Sequence, residues 1–301
     1  MEKKIILSVA LFLLVLNILA WQEVFVLNGN RLLKVDFLDV GQGDSVFIET
    51  PNDHHILIDG GPNSTVLAKL NKILPFWDRK IDLIILTHPE SDHMTGILDV
   101  LQRYKVGYFL WSGVVKDDAE NKKLAILLKK VSDQQNNFLA KLNNYQPTKV
   151  LTVSAGQEIK AGDVLINVLY PFESVAGKGS KNTSNDTCIV NKITYGKDSF
   201  LFTGDIDAKA EKELVDSREN ILANVLKVAH HGSKYSTSDL FLENVKPEYA
   251  VIEVGKNTYG HPTSEVLNRL AKFDIKMFRT DKDGDVKFVS DGINIIKLLN
   301  K

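Results

Sequence analysis

The segment that most constrains this chain runs from Ile81 to Gly96. Ile81-Asp82-Leu83-Ile84-Ile85-Leu86 is an apolar run of strand length, and it leads straight into Thr87-His88-Pro89-Glu90-Ser91-Asp92-His93-Met94-Thr95-Gly96. Such a run predicts a strand buried on both faces. At its end His88, Asp92 and His93, all metal-capable, arrive within six residues. Imidazole together with carboxylate suits a divalent transition metal. The expectation is a strand-end loop, whose irregular backbone lets these side chains converge on one point. The competing reading is a polar turn with two surface histidines. Against it, two later strands end in a similar way, in Thr203-Gly204-Asp205 and in His230-His231-Gly232-Ser233.

The rest of the chain is compatible with a large core around such a point. It has 301 residues, 44% hydrophobic and 25% charged, an ordinary globular balance. A formal net charge of −1 gives no global argument for a polyanionic partner, so any nucleic-acid contact must come from a local patch. The single cysteine, Cys188, excludes an internal disulfide and a cysteine-built zinc site.

Ile5 to Trp21 is almost wholly apolar, broken by Ser8 and Asn17, with Lys3 and Lys4 ahead of it. As a helix it reaches about 25 Å, short but usable for a bilayer core. Basic residues before it and Trp21 after it fit an inside-positive start and an interfacial anchor. A cleaved signal peptide competes with an uncleaved anchor, and Ile18 before a cut after Ala20 is a poor small-residue match. Residues 1–24 are therefore expected as signal anchor or signal peptide, and residues 31–301 as the functional domain outside the cytoplasm. A buried core helix is the third reading.

Further along, Leu33–Leu38 and Ser45–Glu49 read as a hairpin about Gly41-Gln42-Gly43-Asp44, with Asp39 and Asp44 flanking its turn. His55–Ile58 is a strand stopping at Asp59-Gly60-Gly61, where Asp59 is expected to tie neighbouring loops together. Helices are expected over Val66–Leu74, Gly96–Tyr104 and Lys116–Asn144. The last carries Leu124, Leu127, Leu128, Val131, Leu139 and Leu142 near one face. Strands are expected at Val106–Trp111, Lys149–Val153, Val164–Tyr170, Cys188–Tyr195, Ser199–Phe202, Val225–Ala229 and Tyr249–Val254, with Gly177–Asn185 as a loop. The tail alternates helix (Ser264–Phe273) and strands (Lys276–Thr280, Val286–Val289, Ile293–Leu298). Two sheets with helices outside them, and polar strand ends between the halves, give a four-layer αβ/βα sandwich.

Phe37-Leu38-Asp39-Val40-Gly41-Gln42-Gly43-Asp44-Ser45, Thr87–His93, Thr203-Gly204-Asp205, His230-His231-Gly232-Ser233 and Tyr259-Gly260-His261-Pro262 together resemble the metallo-β-lactamase superfamily. Within it they are most similar to the hydrolase domain of ComEC competence proteins. The resemblance covers Leu33 to Leu298, without a multi-span channel. It implies that His88, Asp92, His93 and Asp205 match metal-binding places. His230 best matches the late ligand histidine, with its neighbour His231 as rival or as a supporting donor, and His261 is a further site residue. The superfamily's His-x-His-x-Asp-His carries Glu90 at its second histidine position here. Where another ligand histidine is expected, the chain reads Ser184-Asn185-Asp186-Thr187. Glu90, Asn185 and Asp186 are therefore read as loop residues, and two histidines of the standard two-zinc ligand set are replaced here.

The chemistry implied is hydrolysis. A bound divalent ion brings the pKa of its water to about 7 and polarises a phosphoryl or carbonyl oxygen. Asp205 is placed to bridge two ions, and Asp92 to bind an ion or hold the attacking water. Oxygen ligands in place of imidazoles favour manganese or zinc, with one well-held ion and a second, weaker one. His261 is read as general acid or phosphate grip, with Ser233 and the Gly232 backbone as alternatives for the grip. The first functional expectation is a phosphodiesterase outside the cytoplasm, acting on DNA if it follows the ComEC domain. The second is a hydrolase of another ester, such as a phosphocholine ester or a lactone. The third is a membrane-tethered binding module with a degenerate metal site. No long basic stripe or aromatic-basic interleaving marks a nucleic-acid footprint in the sequence itself.

Overall fold

The computed structural model describes residues 2–28, 32–133, 146–177 and 184–299. Among these residues the strands form two sheets. In the first the order is β15-β14-β1-β2-β3-β4-β5-β6. These strands are β1 (Leu33–Phe37), β2 (Val46–Glu49), β3 (His55–Ile58), β4 (Lys80–Leu86), β5 (Lys105–Trp111), β6 (Lys149–Thr152), β14 (Val286–Ser290) and β15 (Ile295–Leu298). In the second the order is β13-β12-β11-β10-β9-β8-β7. Its strands are β7 (Glu158–Ala161), β8 (Val164–Tyr170), β9 (Val190–Tyr195), β10 (Asp198–Phe202), β11 (Val225–Lys227), β12 (Tyr249–Ile252) and β13 (Lys276–Arg279).

The layers follow from alternation along each strand. In β4, Ile84 and Leu86 pack outward against the helices, while Leu83 and Ile85 face the other sheet. Successive side chains point to opposite faces, so a strand covered on both sides must be apolar at every position. Outside the first sheet lie α2 (Thr65–Ile73), α3 (Ser91–Arg103) and α4 (Ala119–Ser132), through Leu70, Ile97, Leu101 and Leu128. Outside the second lie α5 (Ala208–Asp216), α6 (Asp239–Val245) and α7 (Ser264–Lys272), through Leu214, Phe241 and Leu270. Between the sheets Phe37, Phe200, Phe202 and Phe288 form the shared core. The expected sandwich is present. The halves are not independent, because β14 pairs antiparallel with β1 and so returns the tail to the first sheet.

Several expected boundaries move. Gly96 lies inside α3, which starts at Ser91, so Asp92 and His93 occupy its first helical turn and not a loop. Glycine's poor helix propensity makes Gly96 look like a boundary. Its bare Cα is instead a packing device, since a Cβ there would meet the Gly60 carbonyl oxygen at 1.9 Å. The expected strand through Ala229 ends at Lys227, and Ala229–Gly232 is a tight turn with His230 and His231 in the left-handed region at φ 51° and 52°. The helix expected over Lys116–Asn144 is seen as Ala119–Ser132, capped by the Asp118 carboxylate, which accepts the Asn121 N–H at 2.8 Å. Leu139 and Leu142, and residues 178–183 of the expected Gly177–Asn185 loop, lie outside the described residues.

At the N-terminus Glu2–Asn28 is a helix, α1. Ile5, Leu11, Phe12 and Trp21 on it are exposed, so it is not the buried core helix of the third reading. Among the described residues no helix is long and apolar enough to cross a membrane. Membrane attachment therefore rests on the sequence alone.

Candidate metal centre

The centre forms where β3, β4, β10 and β11 end. Asp59 follows β3 in a left-handed conformation, φ 57°, and its carboxylate is buried. Oδ1 accepts the Thr87 N–H at 2.8 Å and Oδ2 the Thr87 hydroxyl at 2.6 Å. His93 Nδ1 donates to the same Oδ2 at 2.8 Å, which leaves Nε2 of His93 turned towards Asp205 Oδ1, 3.4 Å away. The Thr87 hydroxyl has one proton, given to Asp59, so it accepts from His88 Nδ1 at 3.0 Å. His88 Nε2 is then an unprotonated, buried acceptor. Asp59 thus ties the loops together, as its place in the sequence suggests.

The turn after β11 supplies the other side. His231 is buried, and its Nδ1 donates to the Glu253 carbonyl at 2.8 Å. Its Nε2 stands 3.2 Å from Asp92 Oδ2 and 3.6 Å from Asp205 Oδ2. His230 lies to the outside, with 31% of its side chain exposed and Nε2 at 3.8 Å from Asp205 Oδ2. Asn185 approaches its Nδ1 at 3.4 Å. His261 is further out, its ring 5.6 Å from that of His230.

Asp92, His93, Asp205 and His231 each offer one donor atom, and the four lie within 4.8 Å of one another. A tetrahedral ion with bonds of ~2.0–2.2 Å needs donors roughly 3.3–3.6 Å apart. The Asp92 Oδ2–His231 Nε2 gap is 3.2 Å and the His231 Nε2–Asp205 Oδ2 gap 3.6 Å, while His93 Nε2 faces the other Asp205 oxygen, Oδ1, at 3.4 Å. Nε2 of His88, Nε2 of His93 and Oδ1 of Asp205 are buried without a hydrogen-bond partner, as expected of atoms that serve a cation. These residues fit a divalent ion. His88 does not join the four. Glu90 turns away and pairs with Lys116, while the buried Ser233 hydroxyl accepts the Tyr235 N–H at 3.4 Å.

The charges agree with the geometry. Burial works against the imidazolium of His231, but Asp205, Asp44 and Asp92 overcome it and lift the group to about 10. His93 is likewise raised against burial by Asp205, Asp44 and Asp59. Asp92 is held below its usual range despite burial by the His231 hydrogen bond and by the charges of His93 and His231. Asp205 is also held low despite burial by His231 and His93. Burial and the neighbouring His93 push His88 down to about 3, so it is neutral.

Two components have no counterpart in the sequence reading. Lys227, 2% exposed, sends its ammonium from β11 into the centre, where it pairs with Asp44 and donates to the Gly204 carbonyl at 3.0 Å. Glu253, fully buried, accepts the Ser45 N–H at 2.9 Å and is raised by burial and by Asp44. The available signal was a charged residue within an otherwise apolar run, in Val225-Leu226-Lys227-Val228 and in Val251-Ile252-Glu253-Val254. Burying such a charge is costly unless it is paired.

Residues 38–112, which span the Asp44, Asp59 and His88–His93 side of this centre, match the metallo-beta-lactamase superfamily. The chain is also 30% identical over 273 residues to ComE operon protein 3 of Bacillus subtilis, a match covering 85% of this chain and 33% of that protein. The chain belongs to the metallo-β-lactamase superfamily. It is 30% identical over 256 residues to competence protein ComA of Neisseria gonorrhoeae, covering 83% of this chain and 31% of ComA. The chain thus spans about a third of the length of the curated relatives it matches. The metallo-β-lactamase fold protein YhfI from Bacillus subtilis superimposes with a TM-score of 0.54 at 16% identity, covering 86% of this chain and 99% of YhfI. CmlA, a diiron β-hydroxylase from Streptomyces venezuelae, gives a TM-score of 0.50 at 14% identity, covering 88% of this chain and 54% of CmlA. At such identities both show likeness of fold alone.

Proposed function

We propose that this metallo-β-lactamase domain is a phosphodiesterase, with nucleic acid as its substrate class, and that Asp92, His93, Asp205 and His231 hold its divalent ion, manganese or zinc. The observation that carries the proposal is the set of four converging donors within 4.8 Å of one another, backed by buried atoms without partners. His231 takes the inner place and His230 supports from outside, the reverse of the order implied by the motif alone. Asp59 and the Glu253 carbonyl hold the two inner imidazoles by Nδ1, so that both present Nε2. His261, at the outer edge of the centre with its ring 5.6 Å from that of His230, is the residue that meets the substrate or its leaving oxygen. The preference for phosphodiesters is supported by likeness to proteins named for competence and, in Haemophilus influenzae, to recombination protein 2, at 29% identity.

We also propose, from the sequence pattern alone, that residues 5–21 tether the domain outside the cytoplasm, because Lys3 and Lys4 precede an apolar run that ends at Trp21. A protein starting near Asn28 is then soluble, while the full chain stays with membranes. The activity is tested by reloading metal-free protein with manganese or zinc. It is then assayed on single-stranded DNA, bis-p-nitrophenyl phosphate, p-nitrophenyl phosphorylcholine and a lactone. Metal-dependent cleavage of the first two supports the proposal. Turnover of the phosphorylcholine ester or the lactone alone moves the substrate class, and no turnover with metal bound leaves a binding module.

A further inference from the structure

We infer that the Lys227 ammonium fills the place of a second cation in this centre, so that the protein takes one divalent ion and not two. The inference rests on the metal-hydrolase reading above and goes beyond it.

Two groups of donors lie side by side. One is Asp92, His93, Asp205 and His231, and the other is Asp44, Asp59 and His93, all three of them buried. The second group is already spoken for. Asp59 takes both Thr87 donors and the His93 Nδ1 proton. Asp44 Oδ2 is paired with Lys227 Nζ, and Asp44 Oδ1 lies 3.3 Å from His231 Nδ1. The ammonium also stands 3.6 Å from Asp205 Oδ1, while Asp205 Oδ2 faces His231 at 3.6 Å. Asp205 therefore has the posture of a bridging carboxylate: Oδ2 faces His231, while Oδ1 is shared between His93 Nε2 at 3.4 Å and the fixed positive charge of Lys227. Lys227 has nowhere else to go. Its backbone is in a central strand paired on both sides, and its side chain is 2% exposed. A divalent ion entering the second group would meet a like charge at close range in a medium of low polarisability, where repulsion is strong.

The test counts ions. Metal-free full-length protein is loaded with excess manganese, desalted and analysed by native mass spectrometry, with the electron paramagnetic resonance spectrum recorded on the same sample. Wild-type protein is expected to carry one ion per chain and to give an uncoupled manganese signal. Two ions, or an exchange-coupled signal, overturn the inference whether or not any variant folds. Lys227→Met keeps the apolar stem and removes the charge, so its count is expected to rise from one to two, while Lys227→Arg stays at one. A count of one in folded Lys227→Met also overturns the inference. Wild-type protein that binds no ion defeats the metal-hydrolase reading itself, and the two failures are thereby told apart.

Discussion

His93 Nδ1 lies 2.8 Å from Asp59 Oδ2, and both side chains are enclosed. The Asp59 carboxylate also receives both donors of Thr87, so one side chain sets the angle of an imidazole and the position of the strand end beside it. A carboxylate behind a ligand histidine fixes its tautomer and raises its basicity, and loss of such a partner costs about 10–100-fold in metal affinity. Asp59→Ala is expected to weaken manganese or zinc binding by that amount, read by competition with a chromophoric chelator. Unchanged affinity with a lowered Tm would reduce Asp59 to a structural tie.

The raised imidazoles give the pH dependence a sign. A group whose folded pKa is raised contributes stability in full below its unfolded pKa and loses it as the pH climbs through the folded one. With His231 at about 10 against an ordinary 6.5, metal-free protein is expected to lose thermal stability across that window. The ion behaves oppositely. It must displace protons from His231 and His93, so its affinity rises with pH, by about tenfold per unit for each proton released. Melting curves with and without manganese over this range should diverge as the pH increases. A metal-induced shift in Tm that stays flat with pH would contradict protonated imidazoles in the metal-free centre.

Much of the sandwich was legible because its central strands are buried on both faces. Leu83 and Ile85 against one layer, and Ile84 and Leu86 against the other, leave an apolar run that can be little else. Strand β7 was not legible, because Glu158–Ala161 alternates only between exposed and half-exposed positions. The return of β14 to β1 is a pairing far apart in sequence, which local pattern does not encode. At the centre, Asp92, His93 and Asp205 stood out as polar groups at strand ends. Lys227 did not, because its partners Asp44 and Asp205 come from elsewhere in the chain.

Gly96 offers a mechanical test of how α3 holds Asp92 and His93. The Gly96 N–H donates to the Gly61 carbonyl at 3.0 Å, and the Gly60 N–H to the His93 carbonyl at 2.7 Å. A Cβ on Gly96 would meet the Gly60 and Asn63 carbonyl oxygens at 1.9 and 2.8 Å. Gly96→Ala gains helix propensity worth about 1 kcal/mol, but the obstruction is backbone, and overpacking of this kind costs about 1–3 kcal/mol. Net destabilisation in urea is expected, with weaker metal binding because the first turn of α3 must shift. A more stable variant with intact metal binding would show that α3 does not depend on this close approach.

The neighbouring histidines separate by position. The chain leaves β11 at Lys227 and turns, with His230 and His231 both left-handed, so the alternation of a strand does not apply to them. His231 is 2% exposed and reaches both Asp92 and Asp205 through Nε2, whereas His230 is partly exposed and approaches only Asp205, at 3.8 Å from the same Oδ2 that His231 faces at 3.6 Å. His231→Ala is therefore expected to lose the ion and the activity together. His230→Ala is expected to keep the ion and lose about 10–100-fold in affinity or turnover, as for a supporting group. Metal stoichiometry and phosphodiesterase rate, measured for both variants in one metal buffer, decide between them. Equal loss of the ion in both would mean joint coordination. Loss in His230→Ala alone would restore the order implied by the sequence motif and move the ion outward, towards His261, whose ring lies 5.6 Å from that of His230.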